Sequence, residues 1–285
     1  MRYGQLVLGP AGSGKSTYCQ IMSEQGAAEQ RRIHVINLDP AAEYLAYQPL
    51  ADIRELVCLE DVMEDEELAL GPNGGLVKAL EYLVDEELNW LQEVVAEEDD
   101  LYILFDCPGQ IELYTHYDVM KRLANALVDW NFRLASVFIL DTQFLLEMGK
   151  FLAGSLVAMS TMLNLQLPNV NILSKMDLLS KADQETVESF LDPDSRSRLL
   201  EGLEDSVMDG KMRKLSLALA SVLEDYSLVN FVPLDISDED SIAAAKSIVD
   251  SCIQFGEEEE VRDRFPQEMD QEDEPEPGDN GRIRH

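Results

Sequence analysis

At 285 residues and 46% hydrophobic content, the chain can form one large α/β domain or two small ones. Its 22 Lys+Arg stand against 56 Asp+Glu, a formal charge of −34, which argues against nucleic acid or anionic membrane as a partner, because phosphate surfaces are gripped by clustered Lys and Arg. Basic partners and plain solubility are both compatible with such a surface.

The first apolar run, Gln5–Leu8, begins near the N-terminus and is expected to be a strand, leaving no room ahead of it for a cleaved leader. Gly9-Pro10-Ala11-Gly12-Ser13-Gly14-Lys15-Ser16 follows and matches GxxxxGK[ST], with a helix expected over Lys15–Gln25. A strand, a glycine-rich turn and a helix start form the context this phosphate-binding loop requires. Backbone N–H groups of Gly12, Ser13 and Gly14 can curl around a phosphate at the positive end of the helix. Lys15 is expected to bridge the β- and γ-phosphates, Ser16 to coordinate Mg²⁺, and Thr17 to reach the α-phosphate.

The second expected strand, Ile33–Leu38, ends at Asp39-Pro40. A carboxylate there faces the edge where parallel sheets bind ligands. Asp39 is read as a partner of a Mg²⁺-bound water or of the nucleophile, with a turn cap before Pro40 as the alternative. About sixty residues then intervene before the third strand, Leu101–Phe105, too many for a hairpin, so these strands should run parallel around a helical insertion near 40–98. Within it, Glu60–Glu67 reads as a solvated acidic stretch leading into Gly71-Pro72-Asn73-Gly74-Gly75, where a Pro-Asn-Gly-Gly turn with glycine at positive φ is the alternative to a functional loop, and Gly75–Val95 reads as a helix.

Asp106-Cys107-Pro108-Gly109-Gln110 ends the third strand. Asp106 is placed to hold Mg²⁺ directly or through water, Gly109 to leave room for the γ-phosphate, and Gln110 to orient the attacking water. Helices are expected over Ile111–Asp129 and Phe144–Leu163, flanking a strand at Leu134–Leu140. Met148, Met159 and Met162 on the second helix suit core packing, or an adaptable partner surface. The uncharged run Phe151–Pro168 is broken by polar residues and falls short of the ~20 apolar residues a bilayer span needs.

After a strand at Val170–Leu173 comes Ser174-Lys175-Met176-Asp177, similar to the [NT]KxD guanine pattern. Guanine presents N1–H and its C2 amine as adjacent donors, which one carboxylate accepts together. Adenine offers an acceptor at N1 and no amine, leaving Asp177 unmatched. The Lys175 stem would cover the base, and Ser174, in place of the usual Asn or Thr, would tie the loop to Gly9–Thr17 through its hydroxyl. Further helices are expected at Ala182–Phe190, Lys211–Tyr226 and Ser241–Gln254, with a strand at Phe231–Leu234 and a last base contact near Asp235 and Ser237. From Gly256 to His285 the chain is acidic and poor in apolar residues, so this tail is expected to be disordered. Cys19, Cys58, Cys107 and Cys252 show no metal-ligand spacing and read as reduced thiols of a soluble intracellular protein.

Taken together, GPAGSGKST, NLDPAAE, DCPGQIELY and Gly71-Pro72-Asn73 resemble the GPN-loop GTPases in order and spacing over about residues 2–255. Leu50–Glu55, Leu70–Leu76 and KMDLLSK around Lys175 point to one eukaryotic branch of that family. The resemblance implies a SIMIBI-type P-loop NTPase fold, a mostly parallel sheet flanked by helices with a helical insertion carrying the GPN loop. It implies Mg²⁺-dependent GTP hydrolysis in a dimer, as a homodimer or a heterodimer with a sister GPN-loop GTPase. It further implies that Asn73 is offered to the γ-phosphate of the neighbouring subunit. A role in assembly and nuclear import of RNA polymerase II, through its subunits or assembly factors, is implied as well. The expected compartment is the cytoplasm, with shuttling to the nucleus left open. A P-loop kinase of a nucleoside or polynucleotide, and a non-catalytic nucleotide-binding scaffold, are the competing functions. The kinase would call for a basic groove and no water-orienting glutamine.

Overall fold

The computed structural model describes residues 2–65, 69–96, 101–145, 148–191, isolated positions between 211 and 219, and 229–257. The tail beyond 257 and most of the Lys211–Tyr226 helix expected from the sequence lie outside these residues. Residues Met1–Phe255 form one compact unit.

Seven strands make one sheet: β1 (Arg2–Leu8), β2 (Ile33–Asn37), β3 (Ala51–Asp52), β4 (Tyr102–Asp106), β5 (Phe132–Asp141), β6 (Asn169–Ser174) and β7 (Phe231–Pro233). Their order is β3-β2-β4-β1-β5-β6-β7, and every pairing is parallel. The central strands read as unbroken apolar runs because both faces are covered. Leu6, Val7 and Leu8 are all fully buried.

Alternation along each strand divides the core in two. Leu6, Leu8, Ile36, Ile103, Phe105, Phe138 and Leu140 face one side. There they meet α3 (Pro72–Asp85), α4 (Leu88–Ala96), α5 (Glu112–Thr115), α6 (Val119–Asp129) and α7 (Met148–Leu165). Val7, Val35, Leu104, Val137, Ile139 and Ile172 face the other, against α1 (Lys15–Ala28) and the last helix, α9 (Glu239–Cys252). Of two further helices, α8 (Lys181–Leu191) adds fully buried Val187 to the first side's core, and α2 (Leu59–Glu64) has no buried residue.

A buried polar chain crosses the α1 side. Tyr18 donates to Gln5, Gln5 to Tyr102, and Tyr102 to Asp250, which Arg31 grips with two nitrogens. The Arg31 guanidinium also lies 3.5 Å from the ring centre of Phe255, and that ring meets Tyr3 edge-on. Phe255 is therefore an anchored end of the compact unit, and a truncation meant to spare the fold has to leave it in place.

The six expected strands are present, together with a two-residue β3 that the sequence reading missed. Four local expectations need correction. Gly75–Val95 is two helices, because the amides of Glu86 and Glu87 both turn back to the Tyr82 carbonyl. Ile111–Asp129 breaks where His116 and Tyr117 both donate to Glu112. The stretch expected to be only solvated forms α2 through Glu64, with Glu60 and Asp61 favourably placed in its first turn. The Gly71–Gly75 turn is instead the start of α3, with Gly71 as N-cap and Pro72 at its first position, and neither Gly74 nor Gly75 has positive φ. Met159 and Met162 are half-buried on α7. No helix among the described residues is long and apolar enough to cross a membrane.

Candidate functional site

Because all strands are parallel, their C-terminal ends share one edge. The chain reverses direction across the sheet at β1, between β4 and β5, and such a switch point opens a ligand crevice. The segments after β1, β2, β4 and β6 all reach that edge, and they carry the residues singled out above.

The loop after β1 closes with the bond from Ser13 N to the Pro10 carbonyl at 3.2 Å. Gly14, the N-cap of α1, has φ 94°, a conformation that glycine takes without strain, and no side chain caps the helix. Its first-turn amides are thus left to whatever sits in the loop. Lys15 is 8% exposed and donates from Nζ to the carbonyls of Gly9 and Pro10, both at 3.1 Å. Burial pulls its ammonium below the usual range, opposed by the charges of Asp106 and Asp39. Ser16 is half-buried and Thr17 exposed on the next two positions.

Asp106 is 2% exposed at the end of β4. Burial pushes its carboxyl up, against hydrogen bonds from Ser16 and Tyr47 and the charge of Lys15. The Tyr47 hydroxyl donates to Asp106 Oδ2 at 2.7 Å. Asp39 is likewise raised by burial, and its Oδ1 accepts from Ala41 N at 3.0 Å. It therefore does cap its turn, as the alternative reading held, while remaining electrostatically coupled to Lys15 and Asp106. Gly109 lies against the phosphate loop: a Cβ there would come within 2.7 Å of Ala11 Cα, so only glycine lets the two segments close. Next to it, Gln110 Oε1 is buried without a hydrogen-bond partner.

The Ser174 hydroxyl donates to the Ser13 carbonyl at 2.6 Å, binding the β6 loop to the phosphate loop. Lys175 takes φ 64° and pairs with Asp141 at 2.6 Å. Thr142 holds the same turn by donating to the Ser174 carbonyl. Met176 is buried, with its amide on the Leu234 carbonyl, and Asp177 Oδ1 is buried and unpartnered. Asp235 and Ser237 bond each other in a local turn rather than reaching outward.

Ser13 Oγ is unpartnered too. Native proteins leave few buried polar atoms unsatisfied, at about 1–3 kcal/mol each. Of the seven such atoms among the described residues, three lie in the phosphate loop, the segment after β4 and the loop after β6, which are the three segments expected to meet a nucleotide. Asn73, by contrast, is exposed in the first turn of α3, and its side chain forms no hydrogen bond among the described residues.

Several organising residues were given no role by the sequence reading, although Asn37, Arg54 and Tyr114 lie within runs it quoted. Asn37 joins β2 to β3 by donating to Asp52 at 2.8 Å. Arg54 clasps Asp52 and donates to the Ala42 carbonyl at 2.7 Å, fixing the start of the 40–50 segment. Tyr114 receives the Gly9 amide. Their partners lie up to 105 residues away, as Gly9 and Tyr114 do, and such pairs leave no spacing signal in a single sequence.

A family profile described as "Conserved hypothetical ATP binding protein" matches residues 7–255. The chain is 48% identical over 271 residues to a Danio rerio protein named GPN-loop GTPase 3, covering 95% of this chain and 94% of that one. It is 44% identical over 263 residues to a Dictyostelium discoideum protein of the same name, covering 92% and 90%. Among solved structures it resembles a GTPase in apo form from Pyrococcus abyssi, with a TM-score of 0.73 and 23% identity over 87% of this chain and 96% of that one. At that identity the last likeness speaks for the fold alone.

Proposed function

The chain belongs to the GPN-loop GTPases and hydrolyses GTP, and from that premise we propose that it works as a Mg²⁺-dependent, dimeric assembly switch. The observation that carries the site reading is the set of unpartnered buried atoms on Ser13, Gln110 and Asp177.

In this reading the amides of Gly12, Ser13 and Gly14 cradle the β-phosphate, and Lys15 turns from its loop carbonyls to the β- and γ-oxygens. Thr17 reaches the α-phosphate. Gly109 N–H meets the γ-phosphate, and Gln110 aligns the attacking water. Asp177 accepts from guanine, Lys175 covers the base, and Ser174 and the buried Met176 set the loop's position.

Ser16 and Asp106 would hold the metal, and Asp39 would hold a water bound to it. These are hard oxygen donors, and Mg²⁺ beside phosphates needs only one or two carboxylates. The described residues contain no cluster of three or more acidic, His or Cys ligands, in keeping with a metal held largely by the nucleotide. When bound, Mg²⁺ supplies charge neutralisation at the β- and γ-oxygens.

The exposed, unbonded Asn73 supports the dimer, since its side chain is not used within its own protomer. We place its action on the neighbour's γ-phosphate, from a second copy or a sister GPN-loop GTPase. The family resemblance supports the role in RNA polymerase II assembly and nuclear import, carried out from the cytoplasm with shuttling to the nucleus. Capture from cell extract by protein loaded with a non-hydrolysable GTP analogue should retain polymerase subunits and a sister GTPase, and GDP-loaded protein should retain clearly less. Equal recovery in the two states would remove the switch.

A further inference from the structure

Between β2 and β3 the chain runs through Asp39–Leu50 without regular structure. Its ends are pinned. Ala41 and Ala42 fold onto Asp39, Arg54 holds the Ala42 carbonyl, and Leu50 N donates to Val35 O at 2.7 Å. From Glu43 to Pro49, among the described residues, one hydrogen bond ties the segment to the rest of the molecule, and it is made by the Tyr47 hydroxyl. The Tyr47 ring also packs against the core layer of α1. Neighbouring Tyr44 is 81% exposed.

The acceptor of that bond is Asp106 Oδ2 at 2.7 Å, on the carboxylate that also receives Ser16. Ser16 and Asp106 are the pair assigned above to Mg²⁺, so the inference rests on that reading. A phenol on a buried carboxylate is a charge-assisted hydrogen bond and one of the stronger kinds. It takes up acceptor capacity that the metal, or the waters it orients, would use.

We infer that Tyr47 is a latch on the metal site: its hydroxyl holds Asp106 until the divalent cation arrives, and binding of the cation releases Tyr47 and with it the 43–49 segment. The cation and the nucleotide are thereby coupled to a surface that carries the exposed Tyr44. Arg54 and Asn37 sit on the fixed frame at the segment's ends, so movement is confined between them.

The test is Tyr47→Phe, which keeps the ring packing and removes only the hydroxyl. With GDP bound, Mn²⁺ binding followed by electron paramagnetic resonance should tighten about tenfold, because the cation no longer displaces a bond to a charged group. GDP affinity in excess chelator should stay unchanged. Unchanged or weaker Mn²⁺ binding would overturn the latch, since the hydroxyl would then be idle or would support the carboxylate in the metal-bound state. A fluorotyrosine at position 47 gives a second readout that does not depend on the variant. Its fluorine resonance should shift when Mg²⁺ is added to GDP-bound protein, and a resonance that does not move contradicts release. Asp106→Asn separates the two levels of the argument: if it leaves Mn²⁺ affinity untouched, the metal assignment fails, whereas a loss there with no gain in Tyr47→Phe overturns the latch alone.

Discussion

Replacing Gln110 by leucine should slow GTP hydrolysis by one to several orders of magnitude while leaving nucleotide affinity within a few-fold. Gln110 Oε1 is buried without a partner, directly after the glycine that packs on Ala11. A side-chain amide in that position can hold the attacking water in line, and losing that alignment costs rate rather than binding. Leucine removes an unsatisfied acceptor, so the thermal midpoint should not fall. Lys15→Ala should behave differently and weaken binding itself, because the ammonium is part of the loop that grips the phosphates. Single-turnover phosphate release, with the partner present, separates the two. Hydrolysis by Gln110→Leu at the unmodified rate would remove the glutamine from the mechanism.

Asn73→Ala should cost about 10²–10³ in hydrolysis rate, the size of effect seen when one polar contact to a developing charge is lost. Asn73 is exposed at the start of α3, and its side chain forms no hydrogen bond among the described residues. In the proposed dimer it reaches the γ-phosphate bound by its neighbour. The decisive version mixes subunits, pairing an Asn73→Ala chain with a chain defective only at Lys15. The working nucleotide site then lies in the Asn73→Ala chain and receives an intact asparagine from the other, so activity should survive. A mixed dimer as inactive as the Asn73→Ala homodimer would show that the asparagine acts within its own chain.

The sheet was legible because its central strands are buried on both faces. Runs such as Leu6–Leu8 and Leu101–Phe105 are continuous in apolar residues, and the long spacing between β2 and β4 required parallel crossovers. The ends of elements were less legible. β3 is two residues long and exists by pairing with Ile36 and Asn37, a tertiary effect. The glycines after Asn73 suggested a turn, but Pro72 at the first helical position starts α3, and the glycines are carried into it. In the site, Lys15, Asp106 and Ser174 were found because each is part of a local pattern fixed by chemistry. Tyr47 was not, and Arg54 and Tyr114, though inside quoted runs, were given no role, since Tyr47 and Tyr114 act through partners placed by the fold and Arg54 also holds the Ala42 carbonyl. Tyr47 and Asp106 are 59 residues apart. The role of Ser174 shows how far chemistry alone could go: a hydroxyl was expected to tie its loop to the phosphate loop, and it donates to Ser13.

The central claim is a guanine-selective hydrolase, although the matching family profile is described by ATP binding. Asp177, with an unpartnered buried oxygen in a turn held by Ser13, Thr142 and Leu234, is the residue proposed to set that selectivity. The direct measurement is phosphate release from GTP and ATP in parallel, on the unmodified chain and on Asp177→Asn, with xanthosine triphosphate as a third substrate. The unmodified chain should favour GTP over ATP by about 10²-fold or more, as a site that hydrogen-bonds its substrate rejects one lacking the matching groups. The Asp177→Asn chain, offering one donor and one acceptor, should shift its preference toward xanthosine triphosphate. Equal turnover of ATP and GTP by the unmodified chain would contradict the account.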